Sequence, residues 1–354
     1  MGRYKKTVKL AASRVGRYEL PKEANPYHGS FSVGAARDYL DANAERTLKT
    51  FVMAGEAGAD MIVSVEGILP LGAFMCEEKF GLHMELMEEM PGPTYEKIAA
   101  VSKKYGMYTA ANYHEREDGR AYNTTVLIGR DGKMVGKYRK VHLPAGENWP
   151  ITPGTEYPVF ETDIGAVGFS TCHDIAFPEH NRITALNGAN IVLHATGGWG
   201  FVTNNGALGL ELLRVRAAEN FVYMVTAYSM NRLRPGSSSN VINYLGDVLD
   251  ENKSQSEDGI AIAEVTPDFD MMKERSMWSY MSGVPSEKAR MLLERKPHTY
   301  GALSETTPPV VRNNYSGYGY AFDKASIAPL SKNLNAFRQA AADGTRHELM
   351  DYDW

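Results

Sequence analysis

At 354 residues, with 43% hydrophobic and 23% charged side chains, the chain has ordinary globular composition and enough length to bury a large core. Lys and Arg number 38 against 43 Asp and Glu, a formal net charge of -5, so no domain-wide basic field gathers nucleic acid or an anionic membrane. No apolar run approaches the roughly 18–20 residues that span a bilayer, and the basic N-terminus MGRYKKTVKLAASR is not followed by the apolar segment of an export signal. Lys6 stands where a myristoylation signal has Ser or Thr. Two cysteines, Cys76 and Cys172, are too few for a disulfide scaffold or a four-thiolate zinc site, so the expected compartment is the reducing cytoplasm.

From residue 7 to 266 short apolar β-type runs alternate with amphipathic helical stretches, the pattern of a layered α/β domain. The stretch 41–58 places Ala44, Leu48, Phe51 and Val52 on one helical face, closes at Gly58 and leads into a buried strand, MIVSV (61–65). Gly55 falls on the same face, where a missing side chain is expected to admit a neighbouring backbone. A second helix is expected over 94–105 with Ile98, Val101 and Tyr105 inward, then a strand over 107–113 and a hairpin over 123–139 turning at Asp131 and Gly132. The strand AVGFST (166–171) precedes a helix begun by Pro178 and Glu179 and closed at Gly188. A strand at 189–194, a helix over 207–220, a strand over 221–227, a hairpin about Gly246 and a strand over 259–265 complete the pattern.

Beyond about residue 270 the character changes. Residues 270–297 read as helical and charged, and 298–330 combine Pro308, Pro309, Gly317 and Gly319 with no clear periodicity. Tyr300, Tyr315, Tyr318, Tyr320 and Phe322 are too many aromatics for a solvated linker. The expected organisation is therefore a catalytic domain over 1–270 and an extension over 271–354, a helix then an irregular arm, packing on the domain or on a neighbouring subunit.

Three reactive side chains stand at the ends of expected strands: Glu66 after MIVSV, Lys140 after KYR and Cys172 after AVGFST. Strand ends are where α/β proteins hold functional groups, because the sheet fixes their position and the loop exposes them. Taken singly, each has an ordinary reading: a solvated carboxylate, a surface ammonium, a buried inert thiol.

Taken together, GADMIVSVEG (58–67), GRDGKMVGKYRKVHLP (129–144) and VGFSTCHDIAFPEHNR (167–182) resemble, in order and spacing, the Glu, Lys and Cys blocks of the nitrilase, or carbon-nitrogen hydrolase, superfamily. LRVRAAENFVYMVTAYSMN (213–231) is similar to that family's Arg-x-Arg-Ala-x-Glu-Asn block, and the resemblance runs through residues 7–266. It implies a four-layer αββα sandwich in which Glu66, Lys140 and Cys172 converge between the two sheets. Val65 replaces the proline that usually precedes the glutamate, which leaves the aim of the Glu66 carboxylate open. Glu147 matches a second glutamate of amidase-type members and is expected to orient Lys140 or the substrate nitrogen. Asp174, Pro178, Glu179 and Arg182 read as structural, serving turn, helix start and ion pairing behind the site.

The chemistry fits those residue types. A thiol with a pKa near 8.5 is only a few per cent thiolate at pH 7, so a cysteine nucleophile needs a base, which Glu66 supplies. Lys140 and backbone N–H groups after Cys172 can stabilise the oxyanion formed on attack. The expected activity is hydrolysis of a non-peptide C–N bond in a small linear amide or N-carbamoyl compound, through a thioester, with release of ammonia or an amine. The alternatives are a nitrilase, a glutaminase-type ammonia donor and a non-catalytic oligomeric scaffold. Cys172-His173-Asp174 is closer to the family's amidase and carbamoylase pattern than to the Cys-Trp-Glu of its nitrilases, which favours an amide. His173, Trp149, Trp199 and Phe201 are the expected substrate-binding residues. No cofactor is expected, and no histidine pair has metal-ligand spacing. The family resemblance implies a homodimer or larger homo-oligomer.

Overall fold

The computed structural model describes residues 7–75, 77–144, 147, 150–198, 209–230, 237–266, 277–306, 308–314 and 324–345. The apolar runs form the strands β1 (Val8–Arg14), β2 (Met61–Val63), β3 (Tyr108–Glu117), β4 (Arg120–Ile128), β5 (Met134–Arg139), β6 (Phe160–Thr162), β7 (Gly165–Thr171), β8 (Ile191–Thr196), β9 (Tyr223–Tyr228), β10 (Ser239–Ile242), β11 (Val248–Asn252) and β12 (Gly259–Val265). Four helices cover them: α1 (Val33–Glu56), α3 (Pro93–Tyr105), α4 (Pro178–Leu186) and α5 (Gly209–Asn220), with the short α2 (Phe80–Leu86) at one side.

Two six-stranded sheets result, in the orders β12-β1-β2-β3-β4-β5 and β11-β10-β9-β8-β7-β6. At the centre of each the strands run parallel, β1 with β2 and β3 in one, β7 with β8 and β9 in the other; antiparallel strands flank them. Leu10, Ile62, Phe169, Leu193 and Val225 belong to one continuous apolar core that joins the two sheets. Ile175, Val192, Met224 and Ile242 form a second core with Ala185 of α4 and Leu213 and Ala217 of α5. The architecture is the four-layer αββα sandwich expected from the sequence.

Helix α1 begins eight residues before the expected start, because Ser32 caps it by accepting a hydrogen bond from the Ala35 N–H at 3.1 Å. Its first turns bury only Ala36 and Leu40, a stripe masked in the sequence by Arg37, Asp38 and Asp41. Gly55 admits a ring rather than a backbone: a Cβ there would lie 2.3 Å from the Tyr105 side chain, so the glycine is where α1 and α3 meet. Helix α3 has Pro93 in its first turn and ends at Gly106, whose φ of 60° suits a residue without a side chain. The short edge strand β6 has no periodic signal of its own and is held by β7, with Phe160 opposite Val167.

In the extension, α6 (Met277–Met281) and α7 (Glu287–Leu293) replace the single charged helix, and α8 (Pro309–Asn314) lies within the stretch read as irregular. A long helix comes last, α9 (Lys324–Asp343), where no element is expected from the sequence. Lys288 donates to the Phe221 carbonyl (3.2 Å) and Gln339 to the Tyr27 carbonyl (2.9 Å), so α7 and α9 both touch the sandwich. Tyr300 packs beneath the Arg295 guanidinium, 5.7 Å from its ring centre; Tyr315, Tyr318, Tyr320 and Phe322 lie outside the described residues, as does Cys76. Among the described residues no helix is long and apolar enough to cross a membrane.

Candidate active site

The C-terminal ends of β2, β5, β7 and β8 lie on one edge of the sandwich, and the loops leaving them carry Glu66, Lys140, Cys172, and Gly197 with Gly198. Lys140 is fully buried, and its Nζ donates to Glu66 Oε1 (2.9 Å) and to both oxygens of Glu147 (3.1 and 2.9 Å). The Glu66 carboxylate is aimed by two further donors, Asn123 Nδ2 on Oε1 (3.1 Å) and the Gly197 N–H on Oε2 (2.9 Å). These fix the direction left open by Val65, while Gly67, at a φ of 65°, turns the chain away and donates its N–H to Asn112 Oδ1 at 2.8 Å. Asn112 Nδ2 in turn donates to Asn123 Oδ1 (2.9 Å), which sets the Asn123 amide with its NH₂ toward Glu66. The Asn123 carbonyl accepts from the Lys140 N–H at 2.8 Å, so one residue of β4 registers both Glu66 and Lys140.

Cys172 opens the turn after β7 with φ at 45°, a left-handed conformation that is strained for a residue with a side chain. Its thiol donates to the Gly198 carbonyl at 3.6 Å and lies within the electrostatic reach of Glu66 and Lys140. Burial raises the Cys172 pKa well above that of a free thiol, and the Glu66 charge adds to the rise against the opposing pull of Lys140. For Glu66, burial pushes upward but the Lys140 ammonium and the hydrogen bonds win, holding it at about 2. Burial alone would also discharge Lys140, yet Glu147 and Glu66 keep it charged to well above the usual pH for lysine. Glu147 is raised by burial and by the neighbouring Glu66, with Lys140 opposing. The resting site is thus a thiol beside a carboxylate that shares one ammonium with a second glutamate.

Asp174 ties the lysine and cysteine blocks together. Fully buried, it accepts hydrogen bonds from the Thr171 N–H (2.8 Å), Tyr138 hydroxyl (2.5 Å), His142 N–H (2.9 Å) and His142 Nδ1 (2.9 Å). Those donors flank Cys172 on one side and Lys140 on the other, so the carboxylate clamps the loop after β5 to the turn after β7. Burial would raise Asp174, but His180, His142 and Tyr138 hold it far below the usual carboxylate range. His142, Asp174 and His180 present ligand-type atoms within 4.8 Å of one another, a grouping their spacing in the chain does not reveal. Both Asp174 oxygens already carry two hydrogen bonds each, and His180 donates Nε2–H to the Phe169 carbonyl (2.9 Å), so the trio serves as a hydrogen-bonded brace.

Of the expected substrate-binding residues, His173 is partly buried and packs edge-on against Phe177, with ring centres 5.3 Å apart; burial and Lys140 lower its pKa. Trp149, Trp199 and Phe201 lie outside the described residues. Residues that sequence reasoning missed are Asn112, Asn123, Gly197 and Arg17. Arg17 Nη2 donates to the Glu66 carbonyl at 2.9 Å. Asn112 and Asn123 leave one signal, an amide in the interior of a strand, since a buried amide must find partners.

Comparison with known proteins identifies the family. The carbon-nitrogen hydrolase family profile matches residues 32–270. The human omega-amidase NIT2 is 31% identical over 196 residues, 51% of this chain and 69% of that protein. A citrullinase of Francisella tularensis is 31% identical over 167 residues, 45% of this chain and 58% of that protein. The crystal structure of Saccharomyces cerevisiae Nit3, a member of branch 10 of the nitrilase superfamily, shares the fold with a TM-score of 0.58 at 22% identity. That match covers 82% of this chain and 98% of Nit3. The family profile and these relatives place the layered fold among the nitrilase-superfamily amidohydrolases. This chain belongs to the carbon-nitrogen hydrolase family and is an enzyme acting on non-peptide C–N bonds.

Proposed function

We propose that the enzyme hydrolyses a small linear amide or N-carbamoyl compound through a thioester on Cys172. The observation that carries this reading is the buried Lys140 ammonium, hydrogen-bonded to Glu66 and Glu147 beside the Cys172 thiol. A thiol raised by burial and a base held at about 2 do not exchange a proton at rest. Proton transfer to Glu66 therefore accompanies formation of the S–C bond, as negative charge passes from sulfur to the carbonyl oxygen. Lys140 and the backbone N–H groups after Cys172 stabilise that oxyanion. Glu66 then gives its proton to the departing nitrogen, the C–N bond breaks, and ammonia or an amine leaves the thioester. Water, deprotonated by Glu66, attacks the thioester; the S–C bond breaks, the thiol recovers its proton and a carboxylic or carbamic acid departs. Glu147 holds Lys140 and the substrate nitrogen in line.

The test is ammonia release across linear amides, N-carbamoyl amino acids, N-carbamoyl amines and nitriles, with Cys172→Ala as control. Turnover of amides or carbamoyl compounds but not nitriles, abolished in the variant, supports the reading; turnover of nitriles alone refutes it.

The same reading extends to assembly and location. Exposed Leu186 and Val215 on α4 and α5, with Trp278, Tyr280, Met281 and Leu293 on the neighbouring α6 and α7, favour burial of that face against a second copy, with residues 271–354 reinforcing the pair. A reducing, cytoplasmic setting suits a reaction that needs Cys172 as a free thiol.

A further inference from the structure

We infer that a cavity on the far side of β4 and β5 from the catalytic residues is a binding site for a phosphate monoester, which raises turnover from outside the active site. The binding is independent of the amidase reading; the effect on turnover rests on it. Along a strand neighbouring side chains point to opposite faces, so Tyr122 and Arg139, each one residue before Asn123 and Lys140, face away from Glu66. On that side the Arg139 guanidinium lies 3.6 Å from the Tyr122 ring centre. A cavity of about 350 Å³ opens there, with β4 and β5 on one side and the segment from Thr152 to Pro158 on the other.

Three cations line the cavity, Arg120, Lys137 and Arg139, against one lining carboxylate, Glu156. Glu115 and Glu117 take up part of that charge: Lys137 Nζ donates to Glu115 (3.0 Å) and Glu117 (2.6 Å), and Arg139 donates Nε to Glu115 (2.7 Å) and Nη2 to Glu117. Arg139 Nη1 is left over, and among the described residues exposed Arg120 has no hydrogen bond and no ion pair. The hydroxyls of Thr152 and Thr155 add two more donors. A phosphoryl group, with about two negative charges and three acceptor oxygens, can engage donors on both walls at once. The volume suits a small organic phosphate, whose hydroxyl groups Glu156 can accept.

The far wall runs directly into the catalytic site. The Ile151 N–H donates to the Glu147 carbonyl (3.0 Å), the Thr152 N–H to the Ala121 carbonyl (2.7 Å) and the Gly154 N–H to the Lys140 carbonyl (2.8 Å). A Cβ on Gly154 would stand 2.1 Å from the Arg139 carbonyl oxygen, so this segment is seated on the end of β5. A phosphoryl group that bridges Arg120 and Arg139 to Thr155 draws the two walls together, and Lys140 and Glu147 are steadied with them.

The experiment titrates the full-length enzyme with ribose 5-phosphate, ribose and inorganic phosphate in a calorimeter at constant ionic strength, then measures ammonia release with and without ribose 5-phosphate. Ribose 5-phosphate is expected to bind and ribose not to. Arg120→Met should weaken binding by roughly tenfold or more, and Arg120→Lys should restore part of it. Melting curves of the variants check that they fold, which the exposed and unpartnered position of Arg120 leads us to expect. Saturating ribose 5-phosphate should raise kcat/KM of the wild type by roughly threefold or more and leave Arg120→Met unchanged. No binding, or equal binding in folded Arg120→Met, overturns the site; binding that sulfate displaces at equal ionic strength marks an adventitious ion only and overturns it too. Binding without a change in rate overturns the coupling to Lys140 and Glu147. An enzyme inactive on every amide and carbamoyl compound overturns the amidase reading, while the calorimetry still decides the site.

Discussion

Replacing Lys140 with methionine keeps the length of the side chain and removes the charge on which three groups depend. Glu66 lies near 2 against an ordinary value of 4.5, which at about 1.4 kcal/mol per pH unit is a net preference of on the order of 3 kcal/mol for the ionised carboxylate, reached because the ammonium and the hydrogen bonds outweigh burial. Without Lys140, Glu66 and Glu147 face each other as buried carboxylates, and like charges in one pocket share a proton rather than both ionise. The acid limb of kcat/KM, set by Glu66 as base, is expected to rise by roughly two units or more. Loss of the oxyanion's cation lowers kcat by a further factor of roughly 10² to 10³. The sign of the stability change follows from the same group. A folded pKa below the unfolded one stabilises the enzyme above about 4.5, and that contribution fades as pH falls toward 2. Urea titrations of the wild type should show this loss, and Lys140→Met should be less stable at pH 7 by roughly 3 to 5 kcal/mol and flatter in the acid range. Ammonia release measured from pH 4 to 9 checks the rate. An unmoved acid limb with activity within tenfold of wild type refutes the reasoning.

Asp174→Asn should destabilise the enzyme by on the order of 2 to 5 kcal/mol, because an amide NH₂ turned toward the Tyr138 hydroxyl or the His142 and Thr171 N–H groups strands buried donors; urea unfolding at pH 7 measures it. Gly197→Ala should lower kcat by roughly tenfold or more with little loss of stability, since its methyl group would press on Glu66 Oε2 from 3.3 Å and the neighbour must yield by only tenths of an ångström; paired kinetics and melting curves separate the two effects. Gly55→Ala should do the reverse, destabilising by roughly 1 to 3 kcal/mol through collision with Tyr105 while the folded enzyme keeps its kcat. Sedimentation should find a dimer or larger assembly at micromolar concentration, and a monomer would contradict the assembly proposed above.

The layered fold was legible because the buried central strands are short apolar runs bounded by glycines and helix starts, as AVGFST and the stretch ending at His194 illustrate. What escaped depends on contacts rather than on local pattern. Strand β6 exists because β7 offers it an edge, and the opening turns of α1 bury only Ala36 and Leu40 among charged residues. Helix α9 carries no capping signal strong enough to set it apart from the proline-rich stretch before it. At the site, Glu66, Lys140, Glu147 and Cys172 could be picked out because three motifs recur in one order. Asn123 could not be placed against Glu66, nor Gly197 against the same carboxylate 131 positions away, because a contact between strands distant in sequence leaves no periodic trace in the chain. Arg17 was passed over for the same reason: nothing in the loop after β1 distinguishes it from any other surface arginine.

The direct test of the chemistry is acid-quenched mass spectrometry of the enzyme during turnover of an amide that it hydrolyses. The tryptic peptide containing Cys172 should carry the mass of the acyl group as a hydroxylamine-sensitive thioester, and Cys172→Ala should neither trap that mass nor release ammonia. Ammonia release at the wild-type rate from Cys172→Ala, or an acyl group on any other residue, would contradict the account.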